Sequence, residues 1–312
     1  LEVTAPNAHN FNFQGQYRRA WQLAWKTLGW PPVDVVHRGA NLWHFTNYVA
    51  PPTTKPFVLS MLDLSYVVHP EFAEPKNLEY LRRFVPDSLK RANHIVAISD
   101  ATRQTVMEEF KVPANKITAT PLAVGTLEPP KNLKNLLLAF AAMRRHTTEQ
   151  LVVVGGHGWL FDETEELLRK LGLGSRAILT GYVPDRELPA LYQGAKVFAF
   201  PSYYEGFGLP ILEAMMGGTP VVTSNTSSMP EVGGAAALYF DPADTKGLRL
   251  AMERVLGDEA LRERLSEAGR EQAKRFSWEE TARKTLGAYH KALGETNVRI
   301  APPSDHGPEH VQ

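Results

Sequence analysis

The sequence predicts an α/β protein with two parallel-sheet domains, on the evidence of its length and its alternating apolar and amphipathic segments. The chain has 312 residues, which is long for one hydrophobic core and suits two domains. Short apolar runs, typical of buried strands, alternate with segments of helical periodicity along most of the chain. This alternation favours parallel sheets covered by helices, because two parallel strands need a crossover between them.

The composition is that of an ordinary globular protein and argues against several classes of function. Hydrophobic residues make up 43% and charged residues 22% of the chain, which are usual values. The 34 basic and 34 acidic residues cancel, and a protein whose main partner is nucleic acid usually carries a basic excess. The absence of cysteine excludes disulfides and thiolate metal sites and agrees with a reducing compartment.

No segment of the sequence predicts membrane insertion or export. No apolar stretch approaches the roughly 18 to 20 residues that span a bilayer. The first ten residues lack the basic start and apolar run of a signal peptide. The predicted location is therefore cytoplasmic, with at most peripheral contact with the inner face of the membrane.

The first predicted domain covers residues 1–121. Its buried strands are predicted at residues 40–45, 57–61 and 94–98, each a short run rich in apolar residues. Helices are predicted at residues 77–92 and 100–110, and Ser99 is the expected N-cap of the second, because its hydroxyl can accept from a backbone N–H of the first turn.

The second predicted domain covers residues 122–295, and a proline-containing tail over residues 296–312 is expected to be mobile. Its strands are predicted at residues 122–125, 151–154, 177–179, 196–200 and 220–223. Its helices are predicted at residues 132–145, 163–171, 187–193, 209–216, 246–256, 258–276 and 278–293. Ligands bind beyond the carboxyl ends of strands in such sheets, so the loops that follow these strands are the candidate site.

The segment from Pro201 to Glu213 carries the clearest chemical signal. Glu205 follows a predicted strand and precedes a Gly-Phe-Gly turn, where glycine permits close backbone approach. A helix then begins with Leu209-Pro210, and its free N–H groups would favour an anion such as a sugar diphosphate. Glu213 follows about one turn later, so two carboxylates can address different parts of one ligand. The alternative, a loop charge and a solvated helix residue, agrees less well with the turn and cap signals around them.

This segment resembles the E-x7-E motif of the family 4 glycosyltransferases with the GT-B fold. Other phrases of the family are matched by residues 125–129 with Lys131-Asn132, and by residues 154–156, 181–184, 218–222, 227–232 and 276–278. The resemblance covers roughly residues 30 to 295 and is stronger after Gly125. It implies two Rossmann-like domains, the N-terminal one incomplete because the family's first strand and glycine-rich loop would precede Leu1.

The resemblance implies a hexosyltransferase that takes a sugar from a nucleoside diphosphate and retains its anomeric configuration. The donor would be GDP- or UDP-linked, with mannose the favoured sugar, and the acceptor would be a saccharide or a lipid-linked acceptor. No metal ion and no further cofactor would be needed, and no nucleic acid would be a partner. A role in building a bacterial surface polysaccharide is the expected setting.

The same resemblance implies a role for each residue of the candidate site. Glu213 would hold the ribose hydroxyls, while Glu205 and the backbone of Gly206, Phe207, Gly208 and Leu209 would contact the donor sugar and diphosphate. Lys131, helped by Gly125, would neutralise the diphosphate; as an alternative it is a surface lysine that begins a helix. The backbone of Tyr182 and Val183 would meet the base, with core packing at a strand end as their alternative. Asp63 is the third expected catalytic residue, after Glu205 and Lys131.

Two motif positions depart from the family pattern. Leu62-Asp63-Leu64 stands where members usually have His-Asp-Leu, and Pro130-Lys131 where they usually have Arg-Lys. Leucine can neither donate nor accept a hydrogen bond, and one lost donor to a developing charge costs about 2.7–4 kcal/mol. A second hypothesis is therefore a catalytically impaired nucleotide-sugar-binding or scaffold protein. A sugar epimerase or phosphorylase of this fold is a third and weaker one.

Other motifs do not compete with this assignment. Ser227-Ser228 lacks the Gly-x-Ser-x-Gly setting of a serine nucleophile. The glycines at 155, 156 and 158 are not followed by the Gly-Lys-Ser or Gly-Lys-Thr of a phosphate loop. The ten histidines show no His-x3-His spacing, which disfavours a metal site. His44 and His69 are expected to be structural.

Overall fold

The computed structural model describes residues 24–25, 30–35, 38–120, 131–143, 149–155 and 161–295. Its strands are β1 (Trp43–Phe45), β2 (Phe57–Met61), β3 (His94–Ala97), β4 (Ile117–Ala119), β5 (Leu151–Val154), β6 (Ala177–Gly181), β7 (Phe198–Phe200), β8 (Val221–Ser224) and β9 (Ala237–Phe240). Its α-helices are α1 (Ser65–Val68), α2 (Pro75–Arg91), α3 (Asp100–Phe110), α4 (Leu133–Ala142), α5 (Phe161–Lys170), α6 (Leu188–Gly194), α7 (Leu209–Met216), α8 (Met229–Gly233), α9 (Thr245–Gly257), α10 (Glu259–Ala273) and α11 (Trp278–Ala292). Short 3-10 turns lie at Val33–Val35, Pro70–Phe72, Ala114–Lys116, Gly174–Arg176 and Gly234–Ala236.

The first sheet is parallel and has the order β1-β2-β3-β4. All five residues of β2 and all four of β3 are buried, as expected for strands of a parallel sheet that is covered on both faces. Helix α3 begins where the sequence predicts, since the Ser99 side chain accepts a hydrogen bond from the Thr102 N–H at 2.9 Å. The capped start of α3 therefore follows the end of β3 after only Ile98 and Ser99.

The last helix of the described chain, α11, packs against the first sheet. Its Ala288 and Ala292 lie in one buried cluster with Val58 of β2 and Val96 of β3. The two ring nitrogens of His44 are hydrogen-bonded to Tyr289 Oη at 2.7 Å and to Ser60 Oγ at 2.8 Å. The sequence places α11 in the second predicted domain, whereas its contacts join the two halves of the chain; the domain boundaries themselves stay a prediction.

The half-buried His44 makes stability depend on pH. Burial lowers its pKa from 6.5 to about 4, so the unfolded chain takes up a proton between pH 6.5 and 4 that the folded chain does not bind. The free energy of unfolding therefore falls as the pH drops through this window, by about 2 kcal/mol at pH 5 from this group. Urea unfolding at pH 7.5 and pH 5 should show a smaller pH-dependent loss in His44→Gln than in the wild type; equal losses would contradict this.

The second half of the chain forms a two-stranded parallel sheet, β5-β6, and a three-stranded parallel sheet with the order β7-β8-β9. Helix α7 has the predicted bounds, and β7 is two residues shorter than predicted. Strands β4 and β9 were not predicted: β4 has only three residues and β9 has four, too few for periodicity to distinguish them from loops. The predicted strand at 122–125 and the tail after residue 295 lie outside the described residues.

Among the described residues, no helix has the length and apolarity needed to cross a membrane.

Candidate functional site

The turn between β7 and α7 is built around glycine. Gly208 precedes the helix with φ +100°, a left-handed conformation that glycine adopts without steric cost. Pro210 stands at the start of α7, where its missing N–H is not needed. Phe207 is buried and packs edge-to-face on Phe276, with ring centroids 5.7 Å apart. At Phe207, therefore, the backbone and not the side chain is available to a ligand.

Gly206 brings this turn against the end of strand β2. A Cβ atom at Gly206 would lie 2.0 Å from the backbone oxygen of Leu62 and 2.6 Å from the Ile98 Cδ1 atom. The Thr102 hydroxyl also donates to the Gly206 carbonyl oxygen at 3.2 Å. Only a residue without a side chain fits where the turn meets Leu62 and Ile98. This close approach sets the Glu205 turn next to Asp63 of the first half.

Glu205 and Lys131 form an ion pair at the start of α7. The Lys131 Nζ atom lies 2.6 Å from Glu205 Oε1, and the two side chains are 22% and 12% exposed. The same ammonium lies 5.4 Å from the centre of the Phe200 ring, an arrangement that adds cation–π attraction. Lys131 is therefore not the surface lysine of the alternative interpretation, and it holds the Glu205 carboxylate in one place.

The neighbouring residue Asn132 holds Lys131 beside Glu205. Its backbone is left-handed, with φ 56°, and its buried side-chain amide donates to the Pro201 carbonyl at 3.0 Å and the Pro242 carbonyl at 2.7 Å. These bonds fix the start of α4 to the segments that follow β7 and β9. The side-chain amide of Asn132 thus fixes the backbone at this point, and the neighbouring Lys131 ammonium can then reach the Glu205 carboxylate.

Two serines fix the backbone of Glu205 from the other side. The Ser227 and Ser228 hydroxyls donate to the Glu205 carbonyl oxygen at 2.6 and 3.0 Å. These serines lie in the stretch 227–232 that matches the family, but the only individual role weighed for them from the sequence was that of a nucleophile. Their position after β8, a neighbour of β7 in a parallel sheet, was the signal that could have placed them beside Glu205.

Asp63 lies among buried tyrosines where the turn meets the first sheet. Its carboxylate accepts a hydrogen bond from the Ser65 N–H, and Tyr66 and Tyr204 are 5% and 6% exposed. Burial, with a smaller effect of the Asp63 charge, raises the pKa of Tyr204 to about 12 and raises that of Tyr66 as well. Both phenols therefore stay neutral at physiological pH.

Aromatic rings join the two halves beside the same loop. Phe72 of the first half stacks on Tyr203 of the second, with ring centroids 5.7 Å apart. His69 lies 6.1 Å from the Tyr203 ring and bonds through Nδ1 to Glu71 Oε1 at 3.1 Å. His69 is therefore part of a packed contact, as was expected of a structural histidine.

Glu213 lies one turn into α7 and is solvent-exposed. Its Oε2 atom accepts a hydrogen bond from the Tyr192 hydroxyl at 2.9 Å. Tyr192 belongs to α6 and was not singled out in the sequence, because nothing in a seven-residue helix shows which neighbour its residues touch. The structure thus gives Glu213 a partner of its own, separate from the Glu205–Lys131 ion pair.

The residues expected to meet the base follow β6. The Tyr182 side chain is 74% exposed, so core packing is wrong as an explanation for it, while Val183 is half-buried. Gly125 lies outside the described residues. Within the described part of the chain, no group of three or more His, Asp or Glu side chains could hold a metal ion.

Several known proteins are similar to this chain in sequence. The family described as "Glycosyl transferases group 1" matches residues 107–272, a range that contains both glutamates and Lys131. The chain is 34% identical over 280 residues to O-antigen chain mannosyltransferase B of Escherichia coli, covering 80% of this chain and 74% of that protein. It is 32% identical to the MMP alpha-(1->4)-mannosyltransferase of Mycolicibacterium hassiacum, covering 64% of this chain and 54% of that protein.

A solved structure with the same fold is the sucrose-phosphate synthase of Thermosynechococcus elongatus. It superposes with a TM-score of 0.71 over 84% of this chain and 76% of its own, at 21% sequence identity. At this identity the likeness concerns the fold alone.

Proposed function

Since this chain belongs to the glycosyl transferases group 1 family and has the GT-B fold, we propose that it transfers mannose from a nucleoside diphosphate, with GDP favoured, to a saccharide acceptor. The proposed transfer retains the anomeric configuration and uses no metal ion. The acceptor is proposed to be a growing surface polysaccharide, because the similar Escherichia coli protein is named for the O-antigen chain. Mannose is favoured because both curated relatives described above are named as mannosyltransferases.

The observation that carries the proposal is the Lys131–Glu205 ion pair at the start of α7. Transfer breaks the bond between C1 of the sugar and a diphosphate oxygen, and the electron pair leaves with the diphosphate. The acceptor hydroxyl forms the new bond to C1 and loses its proton. Negative charge therefore grows on the diphosphate and positive charge on the sugar ring, so a site needs groups of both signs in fixed places.

Lys131 and the start of α7 are the groups that can stabilise the negative charge on the diphosphate. An ammonium has three N–H donors, and the bond to Glu205 uses one of them. The N-terminus of a helix adds backbone N–H groups and a partial positive charge. Together these groups are proposed to stabilise the departing diphosphate, which is the task a metal ion performs in other transferases.

Glu205 is proposed to stabilise the positive charge on the sugar ring and to orient the donor sugar. Its carboxylate is mostly buried, held by Lys131, and its backbone is held by Ser227 and Ser228. A carboxylate held in this way loses little conformational entropy when it accepts bonds from sugar hydroxyls. Asp63 approaches from the first half and is proposed to act on the sugar or the acceptor hydroxyl, while exposed Tyr182 is proposed to cover the base.

Incubation of the purified protein with GDP-mannose, UDP-glucose or UDP-galactose, each with a saccharide acceptor pool and EDTA, tests this function. The expected result is release of GDP from GDP-mannose and a mannosylated product, at a rate that EDTA leaves unchanged. Loss of the reaction in EDTA would contradict metal independence. Transfer from a UDP-sugar instead would correct the donor.

The impaired-enzyme hypothesis predicts a different outcome in the same experiment. Nucleotide binding without release of nucleoside diphosphate, together with a gain of transfer in Leu62→His, would support a binding protein over an enzyme. The matched variant Leu62→Met, which restores no hydrogen bond, should show no gain.

A further inference from the structure

Tyr192 is fixed in place by its surroundings. Its ring meets Phe198 edge-on, with centroids 5.3 Å apart, and its carbonyl oxygen accepts a bond from the Thr219 hydroxyl at 2.5 Å. A Cβ atom at Gly217 would lie 3.3 Å from the Tyr192 Cβ atom, so α6 and the end of α7 approach closely here. A tyrosine held on these sides offers its hydroxyl in one direction.

That direction is toward Glu213. The Tyr192 hydroxyl lies 2.9 Å from Glu213 Oε2. Burial, and then the charge of Glu213, raise the pKa of Tyr192 well above its usual value, so the phenol stays protonated and donates. The Glu213 residue is itself exposed, and an exposed glutamate that makes no such bond samples many rotamers and loses this freedom on binding a ligand.

We propose that Tyr192 is a positioning residue that presents the Glu213 carboxylate to the ribose diol of the nucleotide, and so makes the site selective for ribonucleotides over 2′-deoxyribonucleotides. The inference rests on the proposed transfer from a nucleoside diphosphate and on the role that the family resemblance implies for Glu213, which is to hold the ribose hydroxyls. A carboxylate has about four acceptor positions on its two oxygens, and the phenol occupies one of them. The rest are held in one orientation, in which two neighbouring hydroxyls can bind and one hydroxyl binds less well.

Calorimetric titration of the full chain with GDP and with 2′-deoxy-GDP tests the proposal, with UDP and 2′-deoxy-UDP as the second pair. The wild type is expected to prefer the ribonucleotide by about tenfold or more, the usual effect of one hydrogen bond to a charged group. Tyr192→Phe keeps the ring and removes the hydroxyl. It should weaken ribonucleotide binding several-fold, weaken deoxyribonucleotide binding less, and so reduce the preference.

Tyr239→Phe is the matched control. Tyr239 lies in the same half of the chain, is partly buried, and donates its hydroxyl to the Gly234 carbonyl at 2.7 Å. The Tyr239→Phe substitution should leave the ratio of ribonucleotide to 2′-deoxyribonucleotide affinity unchanged. In a Glu213→Gln background the Tyr192→Phe change should add no further loss of preference, because the charged partner is gone.

The outcomes separate this inference from the function on which it rests. If the wild type binds no nucleotide, or binds both members of a pair equally, the role of Glu213 fails and the role of Tyr192 fails with it. If the wild type is selective and Tyr192→Phe is equally selective, Tyr192 has no positioning role while that of Glu213 stands. An equal loss of affinity for both nucleotides, with a lower melting temperature, would assign Tyr192 a structural role and overturn the proposal.

Discussion

Replacing Lys131 with methionine is expected to slow glycosyl transfer by about 100-fold or more, the usual effect of removing one group that stabilises a developing oxyanion. The Lys131 ammonium meets the Glu205 carboxylate at 2.6 Å and is proposed to meet the diphosphate as well. Methionine keeps most of the length and apolar volume of the side chain and removes the charge. The decrease should appear mainly in kcat, because charge on the diphosphate grows as the bond to C1 breaks.

Stability must be measured with the rate, since Lys131→Met leaves a mostly buried carboxylate without its counter-ion. Breaking a buried pair by removing one partner costs about 3–5 kcal/mol, and part of this is expected here. The double variant Lys131→Met with Glu205→Gln removes both charges and should recover stability without recovering the rate. Lys134, an exposed residue in the first turn of α4, provides the control: Lys134→Met should behave as wild type. A Lys131→Met enzyme with a rate equal to that of Lys134→Met would disprove the role of Lys131.

Replacing Gly206 with alanine is expected to have the largest effect on stability of any single methyl group added to the site. The new Cβ atom would lie 2.0 Å from the Leu62 backbone oxygen, and a backbone oxygen cannot rotate away as a side chain can. The turn must therefore separate from the end of β2. Overpacking of this kind typically costs 1–3 kcal/mol and occasionally more, and we expect about 3 kcal/mol in urea unfolding, with transfer nearly lost.

Gly257 offers a close control for this substitution. It ends helix α9, and a Cβ atom there would meet nothing within 4 Å. Gly257→Ala should change the free energy of unfolding by no more than about 0.5 kcal/mol, as for other surface changes. If Gly206→Ala proved as harmless, the close approach of the turn to β2 would not exist in the protein.

Much of the fold was predictable because it depends on local signals. Ser99 caps α3 and the Gly-Phe-Gly-Leu-Pro turn begins α7 in the structure, as the sequence predicts. Such features arise within a few residues, where backbone conformation and capping hydrogen bonds dominate. The short strands β4 and β9 escaped prediction because they are defined by pairing with a neighbour rather than by their own pattern.

The site was predictable as a set of residues but not as an arrangement. Glu205, Glu213 and Lys131 stand out in the sequence, yet their roles remain proposals. The serines that hold Glu205 and the tyrosine that holds Glu213 were not assigned. Each of these supporting residues acts through a single hydroxyl, and a serine or tyrosine is too common in sequence to indicate such a contact.

The sequence by itself determined the α/β class, the bounds of α7 and the glycine-rich turn before it, and the family to which the chain belongs. Only the tertiary structure decided that Lys131 meets Glu205, 74 residues away, that Tyr192 meets Glu213, and that α11 covers the first sheet. The physical reason is the separation along the chain between the residues in contact. A turn or a cap is set by neighbours along the chain, whereas these contacts exist only once the helices and strands have packed into one particular arrangement.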